Sequence, residues 1–399
     1  MKTKRPSTLL FAGAVLALCA AYVRAAWVQV YYTGWQQDLM PPAAVDFGAM
    51  TQLVHFSVIP NDDGTLDRRT NGLTAARVHD AVSAAHAAGK KILFSIGGYP
   101  SRERFESAMS APNEARFIES IAAFLSSNRY DGVDLDMEPM SPSDAPLFTK
   151  FAADLRAKLD TMAPRPLLTT TALWTPEIFA RVAGLVDEIN VMTYGLSGPY
   201  RGWMTWHNAA VYDKGYRFPG GGIPPSADAL VRQFEDAGVP KSKLGIGFSM
   251  APYVWTGVSR PGQAWTGAPP TAKETSYSAV ADAYGLTEDG APSKYYHWDE
   301  NAQAPYLSVE DAAPARFVSY DDAASARAKA DYVRLQGLGG LAVWDLQDGY
   351  RAKQPAGRRE PLMDAIKAAF LDNDPQVIVL PTPTVPIRPL PRAAAARAP

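Results

Sequence analysis

Residues 130–139 read Tyr130-Asp131-Gly132-Val133-Asp134-Leu135-Asp136-Met137-Glu138-Pro139, and three of the four acidic groups alternate. In a β-strand, residues two apart point to the same side. Asp134, Asp136 and Glu138 therefore share one face, and Val133, Leu135 and Met137 share the other. Carboxyls at that spacing repel one another, so at least one proton is expected to be held above its normal pKa. Such crowding costs stability and makes sense where a general acid is wanted. A calcium site or a solvated edge strand would be the alternatives. A calcium loop, however, wants glycine and oxygen ligands spread around a turn, and the intervening residues here are apolar.

Outward from this strand, short apolar runs alternate with helical patterns. Strands are expected at 28–32, 53–59, 91–96, 166–173, 188–194, 244–249 and 339–344. Helical spacing is expected at 73–88, 113–126, 143–159, 226–237, 323–336 and 361–371, with Phe117, Ile121 and Phe124 on one face of the second. Eight strands alternating with helices describe an α/β fold, a (β/α)8 TIM barrel. A doubly wound open sheet would carry a Gly-rich phosphate loop after strand one; Tyr32-Thr33-Gly34-Trp35 is no such loop. The stretch at about 251–316 is too long for a simple crossover. Its aromatic pieces, such as Tyr295-Tyr296-His297-Trp298, point to a small α+β insertion between strands seven and eight. In barrels the site lies at the C-terminal ends of the strands. Those ends here carry Tyr31, Gly97-Gly98-Tyr99, Glu138, Trp174, Met192 with Tyr194, and Trp344 with Asp345.

The chain's formal net charge of −2 gives no electrostatic case for nucleic acid or an anionic membrane. Its 9 Trp and 18 Tyr suit a carbohydrate partner, whose faces stack on flat rings, although aromatics are core residues too. Lys2, Lys4 and Arg5, an apolar run at 9–23, and Val23-Arg24-Ala25 read as a secretory signal peptide cleaved after Ala25, with a single-pass anchor as the alternative. A secreted or periplasmic protein is expected, with no membrane attachment after cleavage. Cys19, the only cysteine, lies in that segment, so the mature protein has no thiol chemistry. From about Asp372 the chain becomes Pro- and Ala-rich and reads as an extended, disordered tail, 372–399. The catalytic barrel is then 26–371.

Five motifs in register resemble glycoside hydrolase family 18, the chitinase family. Asp131-Gly132-Val133-Asp134-Leu135-Asp136-Met137-Glu138 fits its D-x-x-D-x-D-x-E signature, and Ser95-Ile96-Gly97-Gly98 fits its S-x-G-G motif. Met192-Thr193-Tyr194 resembles M-x-Y. Gly339 to Asp345 resembles the strand-eight motif ending in Trp, and Gly202-Trp203-Met204-Thr205-Trp206 the Trp-containing loop after strand six. The resemblance implies a substrate-assisted retaining mechanism needing no metal and no cofactor, performed by a monomer on chitin or N-acetylglucosamine oligosaccharides. It implies Glu138 as general acid and base, Asp136 orienting the acetamido N–H, Asp134 sharing a proton with Asp136, and Tyr194 bonding the acetamido oxygen. Trp344 is implied as the apolar floor, and Tyr31, Tyr99, Met192, Trp203 and Gly98 as lining groups. Asp131 and Gly97 are structural members of their motifs. The family often has Asp where this chain has Gly195. The same apparatus would serve an endo-β-N-acetylglucosaminidase or a peptidoglycan hydrolase, and a non-catalytic chitin-binding lectin stands as the reading from a different class.

Overall fold

A computed structural model describes residues 26–286 and 293–372. The expected signal segment and the tail beyond Asp372 lie outside the described residues. Eight strands form the barrel: β1 (Trp27–Thr33), β2 (Gln52–Pro60), β3 (Lys91–Gly98), β4 (Gly132–Met137), β5 (Leu167–Ala172), β6 (Glu188–Val191), β7 (Leu244–Ser249) and β8 (Gly340–Trp344). Each pairs in parallel with the next, and β8 pairs with β1, which closes the ring.

Period-two alternation sorts the side chains into two layers. Val28, Val30, Tyr32, Val133, Leu135 and Met137 face outward into the main hydrophobic core, among buried helix residues such as Phe117, Ile121, Phe148 and Phe151. Tyr31, Val54, Phe56, Leu93 and Ala342 form a separate apolar cluster, with Trp344 packed against it. The five longest helices, Ala75–Ala87, Glu114–Asn128, Ala145–Asp160, Ala227–Asp236 and Ala323–Gln336, fall where helical spacing is expected. Two shorter helices, Arg102–Met109 and Pro176–Val182, escape the periodicity. The first is half charged and buries only Phe105, Ala108 and Met109, too few positions for a face to register.

The strand expected at 188–194 stops at Val191. The Thr193 N–H bonds back to the Val191 carbonyl at 2.8 Å, and its hydroxyl takes the Gly247 N–H of β7 at 2.8 Å. That turn takes Tyr194 out of the sheet, while the Met192 N–H still donates to the Ala172 carbonyl of β5 at 2.7 Å. Between β7 and β8 lies a five-stranded antiparallel sheet, in the order Thr271–Glu274, Tyr253–Thr256, Arg316–Ser319, Ala304–Val309, Tyr296–Asp299, with helix Tyr277–Tyr284. The loop after β6 docks on it: His207 Nε2 and the Tyr216 hydroxyl meet Asp299 Oδ2 at 3.0 and 2.8 Å, and the Asn208 N–H donates to Ser319 Oγ at 2.7 Å.

Candidate active site

The register of β4 against its neighbours builds the site from below. Asp134 stands opposite Ser95 on β3 and Thr169 on β5, and Asp136 stands opposite Gly97. Residues opposite one another in a parallel ladder point the same way, so Ser95, Asp134 and Thr169 meet in the barrel interior. Asp134 Oδ1 accepts the Thr169 hydroxyl at 2.6 Å, and its Oδ2 accepts Ser95 at 3.0 Å and Tyr31 at 3.2 Å. Asp136 accepts the hydroxyl of Thr171. Glu138 lies one residue past the strand, at its mouth. Its carbonyl takes the N–H groups of Ser101 and Arg102, at 2.8 and 3.0 Å, where the helix Arg102–Met109 begins. The three carboxyls thus stack by depth: Asp134 at the bottom, Asp136 above it and Glu138 at the opening.

That stacking separates their electrostatics. Burial pushes the Asp134 carboxyl up, and the hydroxyls of Thr169, Ser95 and Tyr31 pull it back. Asp136 is raised well above the usual range by burial and then by the charges of Glu138 and Asp134, with only Thr171 opposing. Burial lifts Glu138 to about 7. An acid poised near neutrality is what proton donation to a leaving group requires. Tyr194 is raised by burial and by the Asp136 and Glu138 charges, and so stays a neutral hydroxyl donor.

A cleft of about 430 Å³ opens over these groups. Tyr31, Gly97, Gly98, Tyr99, Asp136, Glu138, Met192, Tyr194 and Trp344, all singled out from the sequence, line it. Trp344 packs edge-on against Phe56 and Tyr31, with ring centroids at 4.8 and 5.7 Å, leaving part of its face open. Tyr99 projects at the rim, 75% exposed. Gly97 and Gly98 are glycines for steric reasons: both have positive φ, at 110° and 99°, and a Cβ on Gly97 would sit 2.1 Å from the Asp136 carbonyl oxygen. On the opposite side Gly247 makes room for the Tyr194 ring, whose carbons lie 2.5 Å from where its Cβ would stand.

Trp203 and Asp134 are not among the cleft-lining residues, and Asp131, expected as a structural member of its motif, lies farther down. Trp203 stacks on Phe218 at 4.5 Å and meets Tyr200 edge-on at 4.8 Å. Asp131 lies at the start of β4 and accepts His86 Nε2 at 3.0 Å and the Ile92 N–H at 2.8 Å, a structural tie between helix and strand. Asp134 lies beneath the cleft floor. Sequence reasoning missed Trp35, Phe56, Asn71, Arg104 and Thr171, which also line the cleft. Thr171 was legible, two positions from Thr169 on the same face of β5, and so was Phe56, two positions from Val54 on β2; Trp35, Asn71 and Arg104 carried no such signal. Gly195, with φ of 67°, donates its N–H to Asn208 Oδ1 at 3.0 Å, and nothing stands within 4 Å of where its Cβ would be.

The family model of "Glycosyl hydrolases family 18" matches residues 27–349. Chitinase A1 of Niallia circulans is 31% identical over 322 residues, 71% of this chain and 45% of the relative, so the chain spans under half of that protein's length. A chitinase-like effector of Moniliophthora perniciosa is 22% identical over 85% of each chain. Among solved structures, the Group IV chitinase of Ostrinia furnacalis in complex with allosamidin superposes with a TM-score of 0.73 at 22% identity, over 86% of this chain and 98% of that one. By the extent of the family match, which takes in every barrel strand and all three stacked carboxyls, the chain belongs to glycosyl hydrolases family 18.

Proposed function

We propose that the protein is a secreted hydrolase of β-1,4-linked N-acetylglucosamine polymers, chitin or chito-oligosaccharides, acting by substrate-assisted retaining catalysis. The observation that carries this reading is the carboxyl stack, which puts a Glu138 held near neutrality at the cleft mouth, above a buried Asp136–Asp134 pair. Below about pH 7 Glu138 holds a proton and gives it to the glycosidic oxygen. As that C–O bond breaks, the acetamido carbonyl oxygen of the sugar on Trp344 bonds to the anomeric carbon. Asp136 accepts the acetamido N–H and steadies the resulting oxazolinium charge, while the Tyr194 hydroxyl holds the acetamido oxygen in line. Glu138, now a carboxylate, takes a proton from water, which opens the ring from the same face and leaves the β-anomer. The substrate supplies the nucleophile, so no second carboxylate is required across the cleft. Transit by the 1–25 segment and action as a monomer complete the proposal.

The test is release of reducing sugar from chitohexaose by the wild type and by Glu138→Gln. Loss of the general acid is expected to lower turnover by about 10²–10⁴-fold with oligosaccharide affinity retained. Binding without hydrolysis by the wild type would instead identify a lectin. Turnover restricted to N-glycans or peptidoglycan in a glycan panel would move the substrate class and keep the chemistry.

A further inference from the structure

Below Asp134 the barrel interior holds polar side chains that the chemistry above does not use. Gln29 on β1, Gln52 on β2 and Glu188 at the start of β6 are all buried. Gln52 Nε2 donates to Glu188 Oε2 and to Gln29 Oε1, each at 2.6 Å. An amide nitrogen carries two hydrogens, so both are committed. With its oxygen taken, the Gln29 amide turns its nitrogen to the Tyr31 hydroxyl at 3.1 Å. Tyr31 accepts that bond, and its single proton goes to Asp134 Oδ2 at 3.2 Å. Each bond fixes which atom donates in the next, from the Glu188 carboxyl to Asp134.

We propose that Gln29, Gln52 and Glu188 are positioning residues that lock the Tyr31 hydroxyl as a donor to Asp134 and so keep the proton of the Asp134–Asp136 pair on Asp136, beside Glu138. The inference rests on the catalytic reading above. Hydrogen bonds donated to a carboxylate favour its charged form. Asp134 faces Tyr31 from β1, Ser95 from β3 and Thr169 from β5 as donors, and the Gln29 amide of β1 also favours its anion, with Asp136 on its own strand and Tyr194 after β6 as further titratable neighbours. Among the described residues Asp136 has Thr171 alone as a side-chain donor. If Gln52 loses its acceptor on Glu188, both amides are free to flip. Gln29 can then present its oxygen to Tyr31, whose proton leaves Asp134. The Asp136 O–H bond breaks and one on Asp134 forms, with no net change in the pair. Asp136, left anionic beside Glu138, strengthens the hold of Glu138 on its proton.

The variants are Glu188→Met, which removes the acceptor of Gln52, and Gln52→Met, which removes the donor that holds the Gln29 oxygen, both in the full-length protein. Carboxyl-carbon NMR of ¹³C-aspartate protein, with Asp134 assigned by Asp134→Asn, reads the proton's position without any substrate. The pH profile of kcat on chitohexaose reads its consequence. In both variants the Asp134 resonance is expected to move toward its protonated position, and the alkaline limb of kcat to rise by on the order of one pH unit, the size of one charge-assisted hydrogen bond. A role for Glu188 as a buried charge alone would move that limb to lower pH. A purely structural role would lower the melting temperature and leave resonances and profile unchanged. Either result overturns the proposal. A wild type that does not turn over counts against the catalytic reading, while the NMR titration still decides the column. If one variant fails to fold, the other carries the test.

Discussion

Glu138 and Asp136 are two residues apart and differ in what surrounds them. Glu138 makes no side-chain hydrogen bond among the described residues, and burial alone raises it to about 7. A raised carboxyl is protonated below that value and ionised above it, so hydrolysis should fall as pH rises through about 7, read as the alkaline limb of kcat. Asp136 is tied to Thr171. Thr171→Val removes the one hydroxyl that favours the Asp136 anion and leaves a buried oxygen unpaired, at a cost of about 1–3 kcal/mol. A lowered denaturation midpoint and a weakened acetamido contact, seen as a drop in kcat with a smaller change in KM, are the expected outcomes. For Tyr194, removal of the hydroxyl in Tyr194→Phe is expected to lower kcat about 10- to 100-fold, the worth of a hydrogen bond to a charged group, with the fold intact by circular dichroism.

The site depends on how β3, β4 and β5 are aligned. Their register sets Ser95 and Thr169 beside Asp134 and an empty position, Gly97, beside Asp136. Gly97→Ala would place a methyl 2.1 Å from the Asp136 carbonyl oxygen at a φ of 110°. Strain there cannot relax through a side chain, so a loss of several kcal/mol is expected, measured by urea unfolding; Gly89→Ala, where nothing lies within 4 Å, isolates the cost of positive φ alone. Period-two alternation made Asp134 and Asp136 legible in the sequence, and the run Thr169-Thr170-Thr171 held the same information about their partners unused. What alternation cannot encode is how loops return to the cleft. Trp35 and Asn71 arrive on connections with no period, and Arg104 on the short helix Arg102–Met109, whose apolar face is too small to register. Trp203 follows a recognisable loop pattern, yet its ring is taken up by Phe218 and Tyr200. The end of β6 is not legible in the sequence because the Thr193 turn is held by Gly247 of the neighbouring β7, 54 positions away in the chain.

At the scale of the whole molecule, eight strands and the outer helices followed from apolar spacing because both layers of a closed barrel obey one alternation rule. The protein also carries buried ionisable groups whose sum is a stability profile. Burial raises Glu138 to about 7, Glu360 to about 7, and Asp345, with help from the Asp348 charge, to about 8. Each retains its proton in the fold after the unfolded chain has lost it, so each removes stability as pH rises from the ordinary carboxyl range to those values. His55 works the other way: burial lowers it to about 3, and its contribution is lost as pH falls from about 6.5 toward that value. Of these groups only the carboxyls act above pH 6.5, and their part of the profile should lower the melting temperature between pH 6.5 and 8 in scanning calorimetry. In the proposed mechanism Glu138 protonates a bond whose displacement is made by the substrate's own acetamido group. The most direct test is proton NMR of the first products from chitohexaose, run beside the fully de-N-acetylated hexamer. Substrate-assisted catalysis is expected to give β-anomeric products from the acetylated chain and none from the other. Initial α-anomers, or equal cleavage of the hexamer that lacks acetamido groups, would contradict it.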